Sequence, residues 1–137
     1  MLTTGLFSSN KDDWCTPLDL FSYLDNKFHF DVDLCASDDN HLCDEYCTIS
    51  KSCFDCTFIN KVIFCNPPYG RRIGDFVALC YHLSFYNKVV MLLPARTDTK
   101  WFHTFIYKKA HIKFLRGRLH FSGSKNAAPF PSMIVWW

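Results

Sequence analysis

Two short apolar runs in this chain are each stopped by proline. "KVIFC" (61–65) runs into Asn66-Pro67-Pro68-Tyr69, and "KVVMLL" (88–93) runs into Pro94. Neither run alternates, so each reads as a strand buried on both faces of a sheet. Proline has no N–H for a ladder and fixes its own φ, so it ends a central strand in one stiff geometry. A helical period follows each run. "RRIGDFVALCYHLSFY" puts Ile73, Phe76, Val77, Cys80 and Leu83 on one side, and "DTKWFHTFIYKKA" has Thr97 or Asp98 as its cap.

The same pattern extends outward. "TPLDLFSYLDNKF" predicts a helix capped by Thr16, with Pro17 in its first turn and Leu18, Phe21, Leu24 and Phe28 on one face. "HFDVDLC" predicts a strand with Phe30, Val32 and Leu34 on one side and His29, Asp31 and Asp33 on the other. "HIKFLRGRLHF" reads as a strand bent at Gly117, "GSKNAAPFP" as a loop and "SMIVWW" as a last strand. Residues 1–15 read as a flexible arm, and 36–60 have no period. Strands alternating with helices predict an α/β fold with a mainly parallel sheet, its last strand free to run antiparallel, in a single domain over 1–137. Ligands bind such sheets at the carboxyl ends of the strands. "DLCASDD", "NPPYG" and "PARTDT" fall there, on one edge.

A 137-residue chain that is 49% hydrophobic is a compact globular protein, not a disordered tail. No apolar run approaches the roughly 20 residues that span a bilayer. The first residues lack a signal-peptide pattern, so an intracellular, soluble protein without a membrane partner is expected. A net charge of +2 permits a nucleic-acid partner without arguing for one. The charges are unevenly placed, however: "YKKAHIKFLRGRLHF" is basic and "DVDLCASDDNHLCDEY" acidic. In such a chain the 8 cysteines are expected as reduced thiols. Cys43, Cys47, Cys53 and Cys56 could bind zinc, but their two pairs stand closer than zinc motifs usually place them, so no metal is expected.

Asn66-Pro67-Pro68-Tyr69 suits one kind of substrate. The Asn66 side-chain carbonyl and the Pro67 carbonyl are two acceptors at a sheet edge, and Tyr69 is a flat ring. Together they fit a planar ring carrying an exocyclic amine. Acceptors on both N–H groups offset the positive charge that develops as the nitrogen attacks. Stacking on Tyr69 is worth roughly 1–3 kcal/mol, once the base has left the duplex. A proline-rich strand end with no further role is the bland alternative.

The tetrapeptide after a strand resembles the catalytic motif of S-adenosylmethionine-dependent amino methyltransferases. Four longer pieces, "DDWCTPLDLFSYLDNKFHFDVDLCAS", "FCNPPYGRRIGDFV", "LLPARTDTKWFH" and "IKFLRGRLHFSGSKNAAPFPS", resemble the phage-encoded Dam-like DNA N6-adenine methyltransferases. The resemblance implies a Rossmann-like methyltransferase fold, S-adenosylmethionine as methyl donor, adenine in DNA as acceptor, and the cytoplasm of a phage or prophage host as location. Asn66, Pro67, Pro68 and Tyr69 match the catalytic motif. Thr16 and Pro17, with Asp33, Cys35, Ala36 and Ser37, match cofactor-binding positions. The glycine-rich turn usual after the first strand is absent, and about thirty residues separate that strand from Asn66, tight for two further strand–helix units.

Arg96 is expected beside Asn66, on a phosphate or the substrate, while Asp98 serves as a cap. Arg116, Arg118 and Lys125 are candidate contacts to the DNA backbone, a solvated basic face being the alternative. Other readings within methyl transfer are an RNA base, N4 of cytosine or a glutamine amide. Outside it stand a non-catalytic DNA-binding module and a small zinc-bound module.

Overall fold

The computed structural model describes residues 13–137. Two of the expected helices form where their apolar period places them. Helix α1, Leu18–Phe28, buries Phe21 and Leu24. Leu18, expected on that face, is 65% exposed. Helix α2, Ile73–Leu83, buries Ile73, Val77 and Cys80. The strands are β1 (Val32–Asp33), β2 (Glu45–Tyr46), β3 (Val62–Cys65), β4 (Lys88–Pro94), β5 (His111–Phe114) and β6 (Ser132–Trp136).

These strands form one six-stranded sheet in the order β2-β1-β3-β4-β6-β5. β1 pairs in parallel with β2 and β3, and β3 with β4; β6 is antiparallel to both β4 and β5. The sheet is therefore mixed, not mainly parallel. The last strand does run antiparallel, inserted between β4 and β5, and this adds a second antiparallel pairing. Ile63, Phe64 and Cys65 of β3 and Val89 to Leu93 of β4 are fully buried, as unbroken apolar runs in a sheet centre require.

Three elements are shorter than the sequence predicts. β1 keeps two of its seven expected residues: the His29 and Phe30 N–H groups go back to Asp25 in α1, although the Asp31 and Leu34 N–H groups beside the strand still reach the Val62 and Phe64 carbonyls of β3. His29 closes α1 in the left-handed region (φ 59°), and the Asp31 carboxylate accepts from the Val62 N–H at 2.9 Å. The helix expected after β4 is mostly a wide π turn, Phe102–Ile106, with the Tyr107 N–H on the Phe102 carbonyl at 2.8 Å. The cap at its start is Thr99, not Thr97 or Asp98: its hydroxyl accepts from the Phe102 N–H at 3.2 Å. β5 stops at Phe114, and Gly117 (φ 75°) turns the chain into a long loop before β6. Of the arm expected over residues 1–15, residues 1–12 lie outside the described residues.

Candidate functional site

The carboxyl end of β3 delivers Asn66 to the sheet edge, and its side chain is held from one side. Nδ2 donates to the Trp14 carbonyl at 2.5 Å and to the Thr16 hydroxyl at 2.9 Å. Oδ1 is buried and has no hydrogen-bond partner. A buried acceptor left unpaired costs about 1–3 kcal/mol, so its presence asks for a reason. The other buried side-chain atom without a partner among the described residues is Ser132 Oγ. Ser132 pairs with Pro94, the last residue of β4, so both orphans lie at the same end of the sheet. That end is where such folds bind ligands.

Tyr69 does not present an open face. It is 4% exposed, and its hydroxyl donates to the Leu92 carbonyl at 3.0 Å. Burial pushes its phenol well above the ordinary value. Phe130 and Phe121 stand edge-on to its ring at 5.6 and 6.3 Å. The same two rings pack on Trp14 at 5.2 and 5.4 Å. The loop before β6 thus lies across the motif and is pinned there: the Ser122 N–H donates to the Cys15 carbonyl at 3.0 Å and its hydroxyl to the Thr16 carbonyl at 3.1 Å. Pro67 is buried and Pro68 half-buried beneath this arrangement.

The positions matched to the cofactor divide in two. Thr16 is turned to Asn66 and makes no cap bond to α1; Pro17 is the cap residue instead. Asp33 is 3% exposed, and its carboxylate accepts from the Leu42 N–H at 3.0 Å. It braces the turn after β1 rather than opening to a ligand. Burial raises its pKa to about 6, against the lowering pull of that N–H. Ser37 and Asn40 exchange backbone bonds at 3.1 and 3.2 Å, so a braced turn stands where a glycine-rich one was absent. Cys35 and Ala36 are half-buried and Ser37 exposed. Beside them Asp38, Asp44, Glu45, Tyr46, Thr48, Ser50 and Lys51 line an open groove of about 600 Å³. This groove does not reach Asn66 or Tyr69. No sequence signal marked Tyr46 or Glu45, because β2 has two residues and no period.

The cysteines form a partly buried thiol cluster. Cys35 and Cys65 lie 3.6 Å apart and Cys47 and Cys56 3.7 Å apart, sulfur to sulfur, all as free thiols. Cys53 is a further buried free thiol. Among the described residues no three His, Cys, Asp or Glu side chains gather as metal ligands.

Arg96, Arg116, Arg118 and Lys125 are exposed. The ion pairs among the described residues, Lys61–Glu45 and Arg72–Asp75, use none of them. Arg96 follows the carboxyl end of β4, the strand beside β3, so its backbone lies at the same end of the sheet as the motif. The other three follow β5, on the loop across the site.

Comparison with known proteins adds an independent line. The profile of the DNA N-6-adenine-methyltransferase (Dam) family matches residues 3–137. A "DNA N-6-adenine-methyltransferase" of Escherichia phage T1 is 31% identical over 94 residues, covering 67% of this chain and 40% of that protein. One of the same name from Haemophilus phage HP1 (strain HP1c1) is 29% identical over 118 residues, 84% of this chain and 68% of its own. The chain thus spans less than half of the T1 relative.

Proposed function

Because the chain belongs to the DNA N-6-adenine-methyltransferase (Dam) family, we propose that it transfers a methyl group from S-adenosylmethionine to the N6 amine of adenine in DNA. The observation that carries this reading is the orphaned Asn66 Oδ1, a buried acceptor at the ligand edge with its amide nitrogen already spoken for. An N6 amine gives that oxygen the donor it lacks. The Pro67 carbonyl takes the second N–H, and both offset the charge that develops on the nitrogen. Direct transfer then needs alignment and no covalent enzyme intermediate.

In this reading residues 1–137 act as one Rossmann-like domain. The run of parallel strands β2-β1-β3-β4 with an antiparallel hairpin on one flank supports that fold. Ser37, Ala36 and Cys35, with the acidic, hydroxyl-rich groove beside them, hold the methyl donor. Three carboxylates against one lysine suit a ligand that carries a ribose diol and positive charge. When bound, that ligand supplies an electrophilic methyl group. The base reaches Tyr69 after Phe121 and Phe130 give way. Arg96, Arg116, Arg118 and Lys125 meet the phosphates. The protein acts in the cytoplasm of a phage host; no helix among the described residues is long and apolar enough to cross a membrane.

The test is mass spectrometry of nucleosides from unmethylated DNA incubated with the protein and S-adenosylmethionine. N6-methyladenine is expected, with none from Asn66→Ala of unchanged circular dichroism. An unreactive wild type, or an active Asn66→Ala protein, overturns the reading. The covered Tyr69 favours one rival, a non-catalytic DNA-binding module. It predicts DNA retention with no cofactor binding.

A further inference from the structure

"TPLD" is a good start for a helix: a hydroxyl, a proline, then an acid in the first turn. Yet α1 receives no side-chain cap bond. The Thr16 hydroxyl, 8% exposed as a residue, instead accepts from Asn66 Nδ2 at 2.9 Å. The helix gives up a cap, and the gain goes to one amide.

That amide has two faces, and what surrounds it decides which is presented. A hydroxyl can donate or accept, so Thr16 alone would tolerate either orientation of Asn66. A backbone carbonyl accepts only. The Trp14 carbonyl, 2.5 Å away, therefore requires the NH₂ on its side and leaves Oδ1 on the other, buried and without a donor. Thr16 takes the second N–H and stops the amide rocking about the first. The segment that supplies both partners is itself anchored by Ser122 on Cys15 and Thr16 and by Phe121 and Phe130 on the Trp14 ring. Strand β3 fixes the Asn66 backbone, and the 14–16 segment fixes its side chain.

We infer that Thr16 is a positioning residue for the transfer, its hydroxyl joining the Trp14 carbonyl to hold Asn66 Oδ1 toward the substrate amine. This rests on the methyltransferase reading for the identity of the substrate, while the locked amide stands on its own. It also reassigns Thr16, whose position in the sequence matched the cofactor segment.

Thr16→Val keeps the shape and removes the acceptor; Thr16→Ser keeps the acceptor. Two readouts are needed. In steady-state assays of methyl transfer to DNA, Thr16→Val should lower kcat by about tenfold, the scale of one lost hydrogen bond. KM for DNA and for S-adenosylmethionine should stay unchanged, and Thr16→Ser should restore the rate. An unaltered kcat overturns the inference. So does a raised KM for S-adenosylmethionine with normal kcat, which would return Thr16 to the cofactor. The second readout needs no activity. In ¹H–¹⁵N spectra the Asn66 side-chain NH₂, assigned by its loss in Asn66→Ala, should show two slowly exchanging protons in wild type and Thr16→Ser. One of them should exchange fast in Thr16→Val. If all three proteins look alike, the inference fails whatever the activity. If the NH₂ responds but wild-type protein methylates no DNA, the lock stands and the methyltransferase reading falls. A thermal melt of Thr16→Val accompanies both readouts, and Thr16→Ala takes its place if the valine variant does not fold.

Discussion

Asp31 and Asp33 look alike in the sequence, two acids on the polar side of an alternating run, and the fold uses them for the same task. Each carboxylate accepts one backbone N–H, Asp31 from Val62 and Asp33 from Leu42. Asp31 does so at an exposed position, Asp33 at a buried one. Alternation put both on the polar side of a strand, yet Asp33 is as buried as its apolar neighbours, and neither partner could be read from it. Val62 comes from another strand, and Leu42 from a stretch without period. The cost of burial is what makes Asp33 testable. Its folded pKa, about 6, lies above the ordinary 3.8. The folded state therefore holds the proton more tightly than the unfolded chain does. The stability this gives is fully present below about pH 4 and is lost as pH rises through 6. Asp33→Asn removes that titration. The difference in unfolding free energy, variant minus wild type, should rise by about 2–3 kcal/mol between pH 4 and pH 6.5. Urea melts across that range measure it. A flat difference would mean that Asp33 titrates as an exposed acid.

At the scale of elements, what could be read was whatever repeats. α1 and α2 buried the faces their 3.6-residue period predicted, Leu18 apart, and β3, β4 and β6 were legible as unbroken apolar runs. The loop between β5 and β6 was legible only as a loop. Phe121 and Phe130 stand nine residues apart with no period between them, and their common contact with Trp14 and Tyr69 is made across most of the chain's length. This is why Tyr69 could be expected as an open plate and is found covered. The mixed sheet escaped notice for a related reason. An apolar run reveals burial, but not the direction of its neighbour, and β6 returns between β4 and β5 only because the loop is long enough to bring it there. Two substitutions separate the ring from its cover. Phe121→Ala, at a position 1% exposed, should cost about 3–4 kcal/mol of stability. Tyr69→Phe loses only the bond to the Leu92 carbonyl and should cost about 1–2 kcal/mol, with the ring still packed. Denaturant midpoints at constant m-value check both. A Phe121→Ala protein as stable as wild type would mean that the loop does not rest on the motif in solution.

Across the whole molecule, strand order converts an uneven sequence into a polarised particle. β2 and β5 are the two edges of the sheet. The acidic stretch belongs to β2, whose flank carries Asp38, Asp44 and Glu45 around the groove. The basic stretch belongs to β5, with His111 and Lys113 on the strand and Arg116 and Arg118 just beyond. Asn66 follows β3, which lies between them. A net charge of +2 conceals this, because the two halves nearly cancel. A polyanion should therefore approach from the β5 side, leaving the β2 side to a ligand of opposite character. The order of strands could not be read from the chain, so the separation could not be either; only the two charged stretches could. Salt measures the consequence. Each phosphate neutralised on duplex DNA contributes about 0.9 to the slope of log K against log salt. Replacing Arg116, Arg118 and Lys125 together by alanine should lower that slope by about 2–3, as read by fluorescence anisotropy on a labelled duplex. Replacing Asp38, Asp44 and Glu45 by their amides should leave the slope in place, because those groups face the other edge. If instead the basic variant keeps the wild-type slope, Arg116, Arg118 and Lys125 are a solvated face. The phosphates then rest on other cations, of which Arg96, just past the carboxyl end of β4 and outside every ion pair of the described residues, is the first to replace.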